Sequence, residues 1–147
     1  MRVQIPLIAL VGKEMAKKKQ FKILIDVDGT ITQAPEFFAA LTQQFALIAD
    51  IHIVTARFEQ EDRALGNETK KQLREWGIKY HHLVFTSDKA LYCIENGINI
   101  VFEDVDEYFK GLPESVTVFK IRETHNYCWK THRWVYDEST GVDIYDV

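Results

Sequence analysis

Apolar runs of strand length alternate with helix-length segments along most of this chain. "FKILIDVD", residues 21–28, is short, apolar and β-branched, which predicts a strand buried on both faces. "PEFFAALTQQFALIAD", residues 35–50, predicts a helix with Pro35 in its first turn and Phe37, Leu41, Phe45 and Ile48 along its inner face. "DIHIVTA" predicts a second strand. "NETKKQLREWG" predicts a helix capped by Asn67, with Leu73 and Trp76 facing inward and Gly77 closing it. The pattern repeats with "YHHLVF" as a strand, "SDKALYCIENG" as a helix ending at Gly97, "INIVFED" as a strand and "VTVFKI" as a fifth.

Strands separated by helices imply right-handed crossovers and a mainly parallel five-stranded sheet covered on both faces. The expected fold is therefore a Rossmann-like three-layer α/β/α sandwich. No repeat or Pro/Gly-rich linker divides the chain after residue 20, so residues 21–147 are expected to form a single domain. Within it, residues 122–147 are aromatic and mixed in charge, and suggest an added helix or a hairpin around "DESTG".

The N-terminus does not fit the alternation. Residues 1–20 read as an extension outside the core. "RVQIP" back-translates to a stretch that resembles the T-arm of a tRNA gene, and "MAKKKQ" looks like a bacterial protein start, so Met15 is expected to be the initiator. A short surface arm is the other reading. The apolar run Ile5–Val11 is far below the roughly 18 residues that span a bilayer, and "GKEMAKKKQ" replaces a signal-peptide cleavage site. No membrane partner is expected.

Composition narrows the classes. The 147 residues are 46% hydrophobic, enough for one real core, and a net charge of -4 argues against a large nucleic-acid footprint. Two cysteines, Cys93 and Cys128, lie far apart without C-x-x-C or histidine spacing, so neither a disulfide framework nor a zinc site is expected. A reducing, cytoplasmic setting is the simplest reading. His81 and His82 belong to no ligand spacing.

In an open parallel sheet, ligands bind beyond the carboxyl ends of the strands, near the point where strand order reverses. The unusual polar residues fall at those ends: Asp26-Val27-Asp28-Gly29-Thr30 after the first strand, Thr55-Ala56-Arg57 after the second, and Glu103-Asp104 after "INIVF". Lys89 starts the preceding helix. A calcium loop is disfavoured, because "TITQAP" follows Asp28-Gly29 where such loops need more oxygen ligands and a closing glutamate.

These strings, "ILIDVDGT", "IVTAR", "SDKA" and "VFEDVDE", resemble the four ordered motifs of the haloacid dehalogenase-like superfamily over residues 21 to about 120. The resemblance implies a Mg²⁺-dependent phosphomonoester hydrolase. Asp26 would be the nucleophile that forms an aspartyl-phosphate, and Asp28 would protonate the leaving group and then activate water. The resemblance also implies a metal set of Asp26, the Asp28 main-chain carbonyl and Asp104. Gly29, Thr30, Ala56 and Arg57 would border the phosphate, Thr55 would hold one of its oxygens, and Lys89 would pair with both phosphate and Asp26. Glu103 would either reach the metal through water or flank Asp104.

Blander readings stand beside these: a surface lysine at Lys89, a simple salt bridge at Arg57, and a solvated strand end at Glu103-Asp104. His125, Asn126, Tyr127, Trp129, His132 and Trp134 would either pack as a cover on the sheet edge or line a base-binding wall. The single helix after Asp28, and the helix plus "RFEQEDRALGN" after Thr55, leave no room for a cap domain; the loop from Phe58 to Asn67 is the candidate lid. Segments also resemble nucleotidase-like members, so the expected substrate is a phosphorylated small molecule or nucleic-acid end. The alternative is a non-catalytic metal- or phosphate-binding protein acting through protein contacts.

Overall fold

The computed structural model describes residues 19–57 and 63–135. The expectations for Met15 and the N-terminal extension, for a hairpin around "DESTG" and for residues 58–62 of the lid loop fall outside those residues, while residues 63–67 of that loop are helical instead. Among the described residues, seven strands are present: β1 (Phe21–Ile25), β2 (Ala49–Thr55), β3 (His82–Phe85), β4 (Ile100–Glu103), β5 (Thr117–Lys120), β6 (Tyr127–Cys128) and β7 (Arg133–Trp134). Three helices join the first four: α1 (Pro35–Phe45), α2 (Arg63–Glu75) and α3 (Lys89–Asn96).

β1 to β5 form a parallel sheet in the order β3-β2-β1-β4-β5. The period of two along each strand sorts side chains to opposite faces. Ile23, Ile25, Ala49, Ile51 and Ile53 meet Phe38 of α1 and Leu73 of α2 on one face. Leu24, Val54 and Val101 meet Cys93 of α3 on the other. The result is a three-layer, Rossmann-like α/β fold. Strand order reverses at β1, which opens a crevice between the carboxyl ends of β1 and β4.

Several local expectations are corrected. α1 ends at Phe45 rather than running to Asp50, because Ala49 already pairs with Phe21 in the sheet. Its buried face carries Phe38 and Thr42, while Phe37 is 56% exposed. A threonine is tolerated there because its hydroxyl donates to the Phe38 carbonyl at 2.7 Å and accepts from the Lys79 N–H at 3.0 Å. Counting apolar residues alone therefore places the face one position off. Asn67 lies within α2 and does not cap it. Gly97 does close α3 in the left-handed conformation, and the Asp88 carboxylate caps its start by accepting from the Leu91 N–H at 3.2 Å.

The aromatic segment forms the antiparallel hairpin β6–β7, earlier than "DESTG". Tyr127 sits edge-on to Trp129 and Trp134, with the Arg122 guanidinium 3.9 Å over the Tyr127 ring. Lys120 of β5 lies 3.7 Å over Trp134, so these aromatics pack among themselves and against the sheet edge.

Candidate functional site

The site is assembled where β1, β2 and β4 end. Beyond Ile25 the chain makes a tight turn over Val27–Ile31, with the Thr32 N–H donating to the Val27 carbonyl at 3.1 Å. Gly29 is required there twice over. Its φ is +80°, and a Cβ would stand 2.0 Å from the Asp104 carboxylate. The turn thus lies directly against the loop after β4.

Asp26, Glu103 and Asp104 are buried together, and each offers an oxygen within 4.8 Å of the others. Lys89, 3% exposed, donates at 2.6 Å to both Asp26 Oδ1 and Glu103 Oε2. Its ammonium also lies 4.4 Å over the Tyr108 ring. Lys89 is therefore an interior cation and not the surface lysine of the blander reading. Glu103 Oε1 accepts from the N–H groups of Asp104 and Val105 at 3.0 and 3.2 Å, so this side chain braces the loop that carries Asp104.

Burial dominates the proton affinities. It pushes Asp26 and Glu103 each up to about 7, against the opposing pull of Lys89, and Asp104 up to about 6. Burial also disfavours the Lys89 ammonium, but the two carboxylates outweigh it and its pKa is raised. Two of these carboxyl groups share Lys89 and Asp104 stands beside them, which leaves negative charge without an offset whenever all three ionise.

The Asp104 Oδ1 and Thr30 Oγ1 atoms are buried with no hydrogen-bond partner. An orphaned carboxylate oxygen beside two further carboxylates is a donor set suited to a hard divalent cation. Asp26 and Asp104 fit such an ion. Asp28 contributes no carboxylate to this group, and Glu103 stands in it beside them.

Asp28 turns outward instead. Its carboxylate is gripped in a fork by Arg57, with Nε at 2.8 Å and Nη2 at 2.7 Å. The hydrogen bonds from Arg57 hold the Asp28 carboxyl below its usual range and raise the guanidinium in turn. Arg57 is itself anchored by Thr69 Oγ1 at 2.9 Å and Gln72 Oε1 at 2.8 Å, both on α2. Thr55 is buried and its hydroxyl accepts from the Arg57 N–H at 3.3 Å.

A cavity of about 310 Å³ joins Asp26, Asp28, Thr55, Ala56, Arg57 and Lys89, with Glu103 and Tyr108 also on its wall. The structure brings these predicted residues together, while Gly29 and Thr30 lie in the turn beneath. Sequence reasoning missed Tyr108 and the role of Asn126, whose amide donates at 3.0 Å to the Asp104 carbonyl and at 2.7 Å to that of Ile121. It also missed a second cluster, Asp50, His52 and His82, at the other end of β2 and β3.

Fold and site together define a Rossmann-like α/β protein with an acidic, lysine-bridged centre at the strand ends. No protein-family model matches the chain, and no curated protein matches it. Among solved structures it is similar to a universal stress protein in complex with cAMP, at 13% identity and a TM-score of 0.44, over 69% of this chain and 96% of that one.

The expected membership of the haloacid dehalogenase-like superfamily is corrected by these findings: no family model and no curated protein supports it, and the solved structure named above is a universal stress protein. The physical reason is that the four strings are short and sit where any parallel sheet collects polar residues. Such strings mark a place in the fold more than they mark a lineage. Among the described residues, no helix is long and apolar enough to cross a membrane.

Proposed function

We propose that the cavity hydrolyses phosphate monoesters with the help of a divalent cation, through an aspartyl-phosphate on Asp26. The observation that carries this reading is the buried Asp26 carboxylate, bonded to Lys89 at 2.6 Å, beside the unpartnered Asp104 oxygen. A phosphate ester repels nucleophiles through its own charge, so a catalyst needs a positioned attacker and cations around it. Mg²⁺ bound by Asp26 and Asp104 would screen the carboxylates from the phosphate and stabilise charge on its oxygens.

The chain's own residues supply the rest. An Asp26 oxygen forms a bond to phosphorus as the bond to the leaving oxygen breaks, and a proton from Asp28 goes to that oxygen. Water then attacks the phosphorus, Asp28 takes its proton, and the Asp26 carboxylate is released with inorganic phosphate. Thr55 and the adjacent backbone N–H groups hold phosphate oxygens, and Lys89 opposes the effect of burial and favours the ionised form of Asp26. The fork from Arg57 holds Asp28 as a carboxylate in the resting protein. A phosphate dianion competes for that guanidinium and frees Asp28 to carry a proton.

The same fork favours a second reading, a metal- or phosphate-binding protein in which Asp28 is a fixed ion-pair partner. Phosphate release separates the two when nucleoside monophosphates, sugar phosphates and a 3′-phosphorylated oligonucleotide are offered with Mg²⁺ or EDTA. Turnover that needs the cation, and falls at least ~10³-fold in Asp26→Asn with the fold intact, supports the hydrolase. Absence of turnover on every substrate, with phosphate still binding, supports the second reading.

A further inference from the structure

Asp50 and His52 point to the same face of β2, because they are two residues apart, and the parallel register sets His52 directly beside His82 of β3. The two imidazoles stack with centroids 4.2 Å apart and planes 23° from parallel. Both turn Nε2 toward one carboxylate oxygen: His52 Nε2 is 3.1 Å, and His82 Nε2 3.3 Å, from Asp50 Oδ2. The three ligand atoms lie within 4.8 Å of one another.

We propose that Asp50, His52 and His82 form a second metal site, which takes one divalent cation of the zinc class on three protein ligands. A tetrahedral zinc with ligands at about 2.0–2.1 Å has ligand-to-ligand edges of about 3.3 Å, close to the separations found here. Two imidazoles and a carboxylate are the donor set that zinc accepts, with a fourth position left for water. That position has an outlet, because the His82 side chain is 48% exposed.

The surroundings are those of a ligand shell. His52 is 3% exposed, and its other ring nitrogen, Nδ1, lies 2.6 Å from the Tyr92 hydroxyl of α3, an outer partner that holds the ring orientation. Burial lowers the proton affinity of this imidazole and so favours the neutral form, the one that binds metal. His81 is not a ligand, since its Nδ1 accepts from the Ile51 N–H at 2.9 Å. Since β3 is the edge of the sheet, an ion here would clamp it to β2.

The test is zinc titration of the tag-free protein in excess Mg²⁺, which occupies the carboxylate centre. Calorimetry is followed by the imidazole ¹⁵N resonances. The proposal expects one Zn²⁺ per chain, coordination shifts at Nε2 of His52 and His82, and at least ~10-fold weaker binding in His82→Ala and in Asp50→Ala. Asp26→Asn, at the other end of the sheet, leaves zinc affinity unchanged. The partly exposed His82 keeps the test decisive should His52→Ala fail to fold. No zinc binding, or zinc binding indifferent to His82→Ala, overturns the proposal and leaves a carboxylate hydrogen-bonded to two imidazoles.

Discussion

The two ends of the same sheet bury polar groups in opposite ways. At the carboxyl end, three carboxyl groups gather around Lys89, with one Asp104 oxygen left unpartnered. Toward the amino end, one carboxylate gathers two imidazoles, and Tyr92 completes the shell. The first set is all oxygen and carries surplus negative charge; the second is mostly nitrogen. Hard cations suit the donors of the former and borderline ones those of the latter.

Breaking the lysine bridge should have the largest effect on folding. Lys89→Met leaves Asp26 and Glu103 buried without their cation, and such a loss costs about 3–5 kcal/mol. Urea denaturation should show this at pH 8. At pH 5 the loss shrinks, because protonated carboxyl groups no longer need the lysine. An equal loss at both pH values would mean that Lys89 acts through packing instead.

Gly29→Ala probes the close approach of the turn to Asp104. The forced left-handed φ costs about 1–3 kcal/mol, and the new methyl group displaces the Asp104 carboxylate. Thermal stability should fall, and stabilisation by Mg²⁺ should disappear with it.

The pH dependence of cation binding follows from the raised carboxyl groups. Without metal, folded Asp26, Glu103 and Asp104 retain protons up to about pH 6–7, whereas the unfolded chain has released them near its ordinary values of 3.8 and 4.5. The folded state then binds more protons, so this contribution is fully present at low pH and is lost as pH rises toward 7. A divalent cation reverses that loss. Added Mg²⁺ should raise the melting temperature at pH 8 and have little effect at pH 5.

The smallest effect belongs to the other end. In metal-free protein, His82→Ala removes a half-exposed ring and should change stability by no more than about 0.5 kcal/mol. Chemical denaturation in EDTA checks this, and a loss of several kcal/mol would show that the imidazole pair is a hydrogen-bonded brace in its own right.

The same comparison explains what the sequence could reveal. Short apolar runs bounded by helix punctuation made the five parallel strands legible, and with them the crevice beyond β1 and β4. Asp26, Thr55, Lys89 and Asp104 could be read because each sits at the end of an element, where polar residues stand out against apolar runs. The fork between Arg57 and Asp28 could not, since it depends on where α2 brings Thr69 and Gln72 to anchor the guanidinium. Nor could the bond from Asn126 to the Asp104 carbonyl, which joins segments distant in sequence.

His52 and His82 are a sharper case. Neither has a ligand at motif spacing on its own strand beyond Asp50, and only the register of β2 against β3 places them together. The family reading failed for the converse reason, because short strings at strand ends report the position of a site more strongly than its ancestry.

Trapping of the covalent intermediate addresses the central claim most directly. Asp28→Asn, which cannot readily activate water, would be mixed with Mg²⁺ and an aryl phosphate whose acidic leaving group needs no proton from Asp28, quenched in acid within one turnover, and mapped by peptide mass spectrometry. A hydroxylamine-sensitive phosphate on Asp26, absent when EDTA replaces Mg²⁺, is the predicted result. Substrate hydrolysis by the wild type without phosphate ever appearing on Asp26 in either protein would contradict the account.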